Sequence, residues 1–316
     1  MDNITHTLAG SLVGQMGLKR QSRFAMAACL LGANAPDIDV FAPLVLPVDG
    51  IGFHRGPLHS VFAVPILAAA ITGLLWLVDR LFPSMEKPFR PAALFIVALL
   101  AVATHPFLDW LTTYAIAIFS PASWRWYSGN AIFIVDWVYW LVMIAGIALS
   151  WRRWRDNRPD PGNPARLAGL VLVAYIAFNL GESATIERQS AELLRRREIE
   201  PALIVASPPP LAFWDRSILW RSADRWGSGL YDPASGLRLD PGDAPLGLDN
   251  PKLAKAQRSR RYVRSFLTWS RMPLVVEQDG HTYLTDQRFY GALRSRAVPS
   301  KVRRFFASHT FLVPLD

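Results

Sequence analysis

Four apolar runs limit what this chain can become: Leu58 to Val78, Ala92 to Phe119, Ile132 to Trp151 and Ala165 to Gly181. Each approaches or exceeds the roughly 20 residues needed to cross the hydrocarbon core of a bilayer, where backbone polar groups must be satisfied within the segment. Helices are therefore predicted for all four. Two shorter runs precede them, Ile4 to Leu18 and Phe24 to Ala35, separated by Lys19, Arg20 and Arg23. These read as short tilted crossings or as a re-entrant hairpin. The fold class expected is a polytopic α-helical membrane bundle of about six apolar segments, the first two short. With 51% hydrophobic residues and a mean hydropathy of +0.18, the 316-residue chain is too apolar for an ordinary soluble domain.

Beyond Gly181 the composition turns polar and charged, with an Arg-rich helical stretch from Glu187 to Glu200 and the breaker Pro208-Pro209-Pro210. Residues 1–185 are assigned to the transmembrane domain and 186–316 to a soluble, extramembrane α+β domain. In the latter, Leu274 to Gln278 and His281 to Thr285 flank Asp279-Gly280, a strong two-residue hairpin signal. Ser217 to Trp220 and Thr310 to Val313 also favour strands.

The chain is basic, with a formal charge of +9, but many of its basic residues sit beside apolar runs, as anchors against anionic lipid do. Membrane lipid is the expected partner, and no nucleic acid. Basic residues favour alternate loops: Lys19, Arg20 and Arg23; then Arg80, Lys87 and Arg90; then Arg152, Arg153, Arg155, Arg158 and Arg166. Those loops are expected in the cytoplasm. The loops from Asp37 to Pro57 and Ser120 to Ala131, and the C-terminal domain, are then expected on the extracytoplasmic side. The opening residues lack the basic stretch of a secretory signal, so a retained N-terminus is expected.

The only cysteine, Cys29, lies in an apolar run, which excludes a disulfide within one chain and a cysteine-based zinc site. Any metal must be held by His and carboxylate. Four of the six histidines fall in the first third of the chain, each near an acidic residue or a second histidine. His6 opens the first segment, Asp37 and Asp39 close the second, and His54 and His59 open the third. His105 and Asp109 are four apart on a predicted helix, so their side chains share a face. All map to one membrane face, and Asp136 enters the fifth segment from the same side.

An ionisable group at membrane depth costs several kcal/mol unless it is paired, hydrated or bound to a cation. Taken singly, His6 could cap a helix, and Asp37 or Asp39 could end one in an Asx turn. Together they read as ligands, with His6, Asp37, His59, His105 and Asp109 as the metal set. His54 and Asp39 either complete the coordination shell or manage protons. Asp136 could orient a ligand or a water, and Arg55 could hold a phosphate oxygen or a lipid headgroup. Imidazole with carboxylate suits zinc, with manganese or iron as alternatives, as one ion or two. His281 and His309 are expected to be structural. Most aromatic residues from Trp110 to Trp140 read as an interfacial belt, and a minority could line an entry for acyl chains.

At these residues the chain resembles the YdjM-like (LexA-binding) family of inner-membrane-associated metal-dependent hydrolases. The resemblance is carried by Met1-Asp2-Asn3-Ile4-Thr5-His6-Thr7-Leu8, Pro36-Asp37-Ile38-Asp39, His54-Arg55-Gly56 with His59-Ser60, Thr104-His105-Pro106-Phe107-Leu108-Asp109 with Thr113-Tyr114, and Ile134-Val135-Asp136. It covers roughly residues 1 to 180. One departure is Trp137, where the family usually has proline. The His and Asp pattern is also similar, more weakly, to that of zinc-dependent phospholipases C. The resemblance implies a metal-dependent hydrolase in the bacterial inner membrane. The function expected is hydrolysis of phosphoester bonds in a lipid or lipid-linked substrate, by metal-activated water. A non-catalytic transport or sensory protein is the alternative.

Overall fold

The computed structural model describes residues 1–84, 87–290 and 311–316. It divides into two compact units, one of Met1–Ser128 with Ile134–Ala177 and one of Gly129–Phe133 with Phe178–Asp316. The chain passes from the first unit to the second between Ala177 and Phe178, inside a continuous helix.

The first unit is helical. It opens with α1 (Asn3–Gln15), capped by Asp2, whose carboxylate accepts from Thr5 N at 3.0 Å. Next is α2 (Ala25–Asn34), which passes into a 3-10 turn at Ala35–Phe41 and then α3 (Ala42–Val45). After α4 (Gly50–Phe53) and a 3-10 turn at Pro57–His59 come α5 (Ala63–Leu81), α6 (Pro91–Trp110), α7 (Trp137–Arg155) and α8 (Asn163–Arg195). Among the described residues four stretches are long and apolar enough to cross a membrane: Ala25–Val45, Ala63–Leu81, Pro91–Trp110 and Asn163–Arg195. Four of the six expected segments therefore meet that measure. The second run is not short, because it continues through the 3-10 turn to span 21 residues. By contrast α1 has only 13 residues, and α7 ends on Arg152, Arg153 and Arg155. Hydropathy overran two boundaries: α5 starts at Ala63 after a proline-led turn, and α6 stops at Trp110.

Lipid tails are as apolar as leucine, so helices in a bilayer associate by close packing across small residues. That is how α2 is gripped. Ala25, Ala28, Cys29, Gly32 and Ala33 are buried on it, opposite Ala98, Ala101 and Val102 of α6. A Cβ on Gly32 would lie 2.9 Å from Ala101 Cβ, and one on Gly10 of α1 would lie 2.5 Å from the Cys29 carbonyl oxygen. Trp140 of α7 donates to Thr5 Oγ1 at 2.7 Å. The outward faces, including Ile66, Leu77, Leu167 and Leu170, remain exposed.

The second unit holds the end of α8 and two antiparallel sheets. One sheet has the order β1 (Leu203–Ser207), β2 (Arg216–Arg221), β3 (Arg225–Asp232), β4 (Gly236–Pro245). Helices α9 (Pro251–Ser259) and α10 (Arg261–Trp269) lead to the second sheet, β5 (Pro273–Gln278), β6 (His281–Asp286) and β7 (Val313–Pro314). The strand expected at Ser217 to Trp220 lies in β2, and Val313 lies in β7. Asp279 and Gly280 turn the β5–β6 hairpin with φ of 52° and 78°, the double positive φ that a two-residue I′ turn requires. The Arg-rich stretch is not a separate helix: Glu187 to Arg195 continue α8. His281 is exposed and its Nδ1 lies 3.2 Å from Asp316 Oδ2, whereas His309 falls outside the described residues.

The second sheet is held to its surroundings through Asp286. Its buried carboxylate takes a bidentate pair from Arg288, Nε to Oδ1 at 2.9 Å and a terminal nitrogen to Oδ2 at 2.8 Å. Burial opposes ionisation, but Arg288 outweighs it and the net direction of the Asp286 pKa is down. A depressed folded pKa contributes stability above the unfolded value, about 3.9, and loses it as pH falls through the folded one. Replacing Asp286 with Ala removes one side of a buried ion pair, a loss of about 3–5 kcal/mol. Hydrogen exchange on the full chain should show β5 and β6 amides losing protection in this variant, and in the parent below about pH 4. Unchanged exchange in Asp286→Ala would show that the pair does not hold this sheet.

Candidate metal centre

Four elements of the first unit deliver ionisable side chains to one buried locus. His6 comes from the first turns of α1, Asp37 and Asp39 from the 3-10 turn after α2, and His59 from the 3-10 turn before α5. His105 and Asp109 lie on the last turns of α6. His6, His59, His105 and Asp109 are fully buried.

One ligand atom from each of Asp37, His59, His105 and Asp109 can be chosen so that all lie within 4.8 Å of one another. His59 Nε2 and His105 Nε2 face each other at 3.0 Å. Asp37 Oδ1 lies 3.4 Å from the first and 3.3 Å from the second, and Asp109 Oδ2 lies 3.4 Å and 3.7 Å away. A second group, Asp39, His54 and His59, shares His59 with the first.

The protons decide what this arrangement can hold. His105 Nδ1 lies 2.7 Å from the Ala33 carbonyl, which can only accept, so Nδ1 carries the proton and Nε2 presents a lone pair. His59 Nδ1 lies 3.1 Å from Asp39 Oδ2, off the line of a good hydrogen bond, yet the carboxylate favours the proton on that nitrogen. Two imidazole lone pairs and two carboxylates then converge on one point. That is repulsive for protein groups alone and favourable around a cation. Neither Asp109 oxygen accepts a hydrogen bond, and both nitrogens of His6 are also buried without one. His6 stacks on His105 with centroids 3.6 Å apart, and its Nε2 is 3.5 Å from Asp109 Oδ1. The donors fit a divalent cation: a mixed imidazole and carboxylate set, lone pairs inward, with His105 backed by the Ala33 carbonyl in the manner of a metal ligand.

Positive charge enters from two other groups. Arg55 Nε lies 3.3 Å from Asp109 Oδ2, and the guanidinium stands 4.9 Å over the Tyr114 ring. Its backbone is in the left-handed region at φ 64°, held there by Arg55 N donating to Asp39 Oδ2 and the Arg55 carbonyl accepting from Ala117 N. The Met1 amino nitrogen also contacts Asp109 Oδ1, and burial, with Arg55 adding to it, pushes its pKa well below the ordinary amine value.

The first 185 residues match the YdjM inner membrane protein family. The chain belongs to this family. The whole His and Asp locus lies inside the matched region, as do the four candidate spans except for the end of α8. An uncharacterized protein of Bacillus subtilis (strain 168), YfhP, is 28% identical over 216 residues, covering 65% of this chain and 61% of that relative. The chain therefore spans less than two thirds of that relative's length. No solved structure matches.

Of the nine residues singled out in the sequence, eight converge. Asp39 stands behind the ligand set, with Oδ1 2.6 Å from His54 Nδ1 and Oδ2 facing His59. His54 is partly exposed, at the rim. Asp136 belongs elsewhere: it caps α7, accepting from Tyr139 N at 2.8 Å and from the Tyr175 hydroxyl at 2.8 Å. It joins neither His and Asp group. Three participants had escaped notice: the Ala33 carbonyl, Met1 nitrogen and the Tyr114 ring beneath Arg55. Only Tyr114 left a trace in the sequence, in the Thr113-Tyr114 pair that follows Asp109.

Removing an outer carboxylate that orients a ligating histidine typically weakens metal binding about 10–100-fold. Asp39→Asn is expected to lower affinity for an added divalent cation by that amount in a competition titration, while His105→Ala abolishes stoichiometric binding. Equal affinity in Asp39→Asn and the parent would remove Asp39 from the centre.

Proposed function

We propose that this protein is a membrane-bound, metal-dependent hydrolase of phosphoester bonds in a lipid or lipid-linked substrate. The reading is carried by one observation: two imidazole lone pairs and two carboxylates converge in a buried site with Arg55 beside them. Asp37, His59, His105 and Asp109 would hold one divalent ion, most simply zinc, with manganese or iron also suited to the donors. His6 needs only a small shift to join. Such an ion supplies charge neutralisation at a phosphoryl oxygen and activation of water.

The chain's own groups do the rest. Arg55 is always charged and holds planar donors suited to a phosphoryl oxygen. His54 is tied at Nδ1 to Asp39, which leaves the Nε2 lone pair at the rim to take a proton from the attacking water and pass it to the departing alkoxide as the P–O bond breaks. Asp39 positions both His54 and His59.

We place the site on the extracytoplasmic side of the bacterial inner membrane, together with the C-terminal domain. Lys87 Nζ donates to the Lys19 carbonyl and Arg166 Nε to that of Met16. The basic loops thus gather where α1 ends and α6 begins, while the His and Asp cluster sits at the opposite ends of both helices. The positive-inside rule favours that basic end for the cytoplasm. A reporter fused after Asp49 is expected to be active only outside the cytoplasm, and cytoplasmic activity would reverse the assignment.

Purified protein should hydrolyse a phospholipid or a soluble phosphodiester only when loaded with metal, and a chelator should stop it. Arg55→Ala should slow turnover about 10²–10³-fold, the usual cost of one charge-stabilising donor, with bound metal retained. Stoichiometric metal with no hydrolysis of any phosphoester would identify a metal-binding protein instead.

A further inference from the structure

A cleft of about 750 Å³ opens directly onto the centre, within the range of small-molecule sites. Its walls change character along their length. At one end stand Asp37 and His54, with Asn3, Thr7 and Asn34 beside them; Thr7 and Asn34 hydrogen-bond to each other. Beyond them the lining is Leu30, Leu31, Ile38, Leu67, Ile71 and Leu74. Leu67, Ile71 and Leu74 are spaced i, i+4, i+7 and so form one stripe down α5, roughly 10 Å long at 1.5 Å per residue. Both walls, Ala25–Val45 and Ala63–Leu81, are candidate membrane spans. The apolar part of the cleft therefore lies at bilayer depth, and its outer residues Ile38 and Leu74 are more than half exposed.

A second apolar cleft of about 360 Å³, lined by Phe107, Trp110 and Tyr127 among others, contains none of the His or Asp side chains of the centre. It offers a chain no anchored head. The larger cleft offers both in one continuous space, because Asp37 is at once a member of the four-residue cluster and part of the cleft wall.

We propose that this cleft seats one alkyl chain of a phosphate-headed amphiphile, the head at the His and Asp cluster and the chain laid along α5 from Leu67 to Leu74. The placement of the head rests on the hydrolase reading; that of the chain rests on the cleft. The ligand enters sideways from the bilayer, so its chain never crosses water.

The test uses the full chain in lipid nanodiscs and a decylphosphonate with a terminal diazirine, whose P–C bond a phosphoesterase does not cut. Photolabelling should fall on peptides containing Leu30 to Ile38 and Leu67 to Leu74. Unlabelled decylphosphonate should compete, and ethylphosphonate should not. Leu67→Trp, or Leu74→Trp at the more exposed end should Leu67→Trp fail to fold, should cut labelling about tenfold, the effect of displacing about two methylenes. Leu170→Trp, on the outward face of α8, should leave it unchanged. Labelling spread equally over Leu167, Leu170 and Val173, or undiminished in both cleft variants, marks surrounding lipid only and overturns the proposal. Labelling in the cleft without hydrolysis of any phosphoester keeps the chain site and overturns the hydrolase reading. Hydrolysis with labelling elsewhere does the reverse.

Discussion

The carboxylate of Asp109 is sealed inside apolar helices with no hydrogen bond to either oxygen, and the first unit is arranged around that charge. A buried carboxylate of this kind is tolerable only where cations or potential cations surround it. His6, His59, His105, Arg55 and the Met1 nitrogen all reach it, and they come from three separate stretches of chain. No one of those stretches would have reason to end where it does if the carboxylate were elsewhere. The same charge makes the histidines useful, since a ligand set with its lone pairs facing inward is stable only around positive charge.

Bringing four elements to one point needs helices that approach closely, and the small residues of α2 provide this. With Gly32 against Ala101 and Gly10 against the Cys29 carbonyl, α2 touches α1 and α6 almost backbone to backbone. The Ala33 carbonyl, at the end of that seam, can then back His105. Packing that serves association in a bilayer therefore also fixes the tautomer of a ligand.

Much of this was legible in the sequence, for a physical reason: charge inside an apolar run is costly, so each such residue advertises a purpose. The His105 and Asp109 spacing could be read as one helical face because α6 is a regular helix there. Asp279-Gly280 could be read because few other pairs tolerate two positive φ values. What escaped was governed by geometry that hydropathy does not encode. Asp37 and Asp39 sit in a 3-10 turn, where a two-residue step turns the side chains to different partners; the sequence put Asp37 in the ligand set but left Asp39 between completing the shell and managing protons. That turn also carried the second span on to Val45. Asp136 looked like another site residue because a helix cap and a ligand use the same side chain. Backbone contributors such as Ala33 carry no side-chain signature at all.

The seam between α1, α2 and α6 has an implication for comparing relatives. An inventory of His and Asp alone would count any chain that keeps them as equivalent, yet the ligands meet only because positions 10 and 32 carry no side chain. A homologue with every His and Asp intact but a bulkier residue at either position would have to move these helices apart, since even a Cβ there would stand 2.5 Å or 2.9 Å from its neighbour. Two silent glycines, neither a member of the His and Asp cluster, are thus as diagnostic of whether that cluster can form as the histidines themselves.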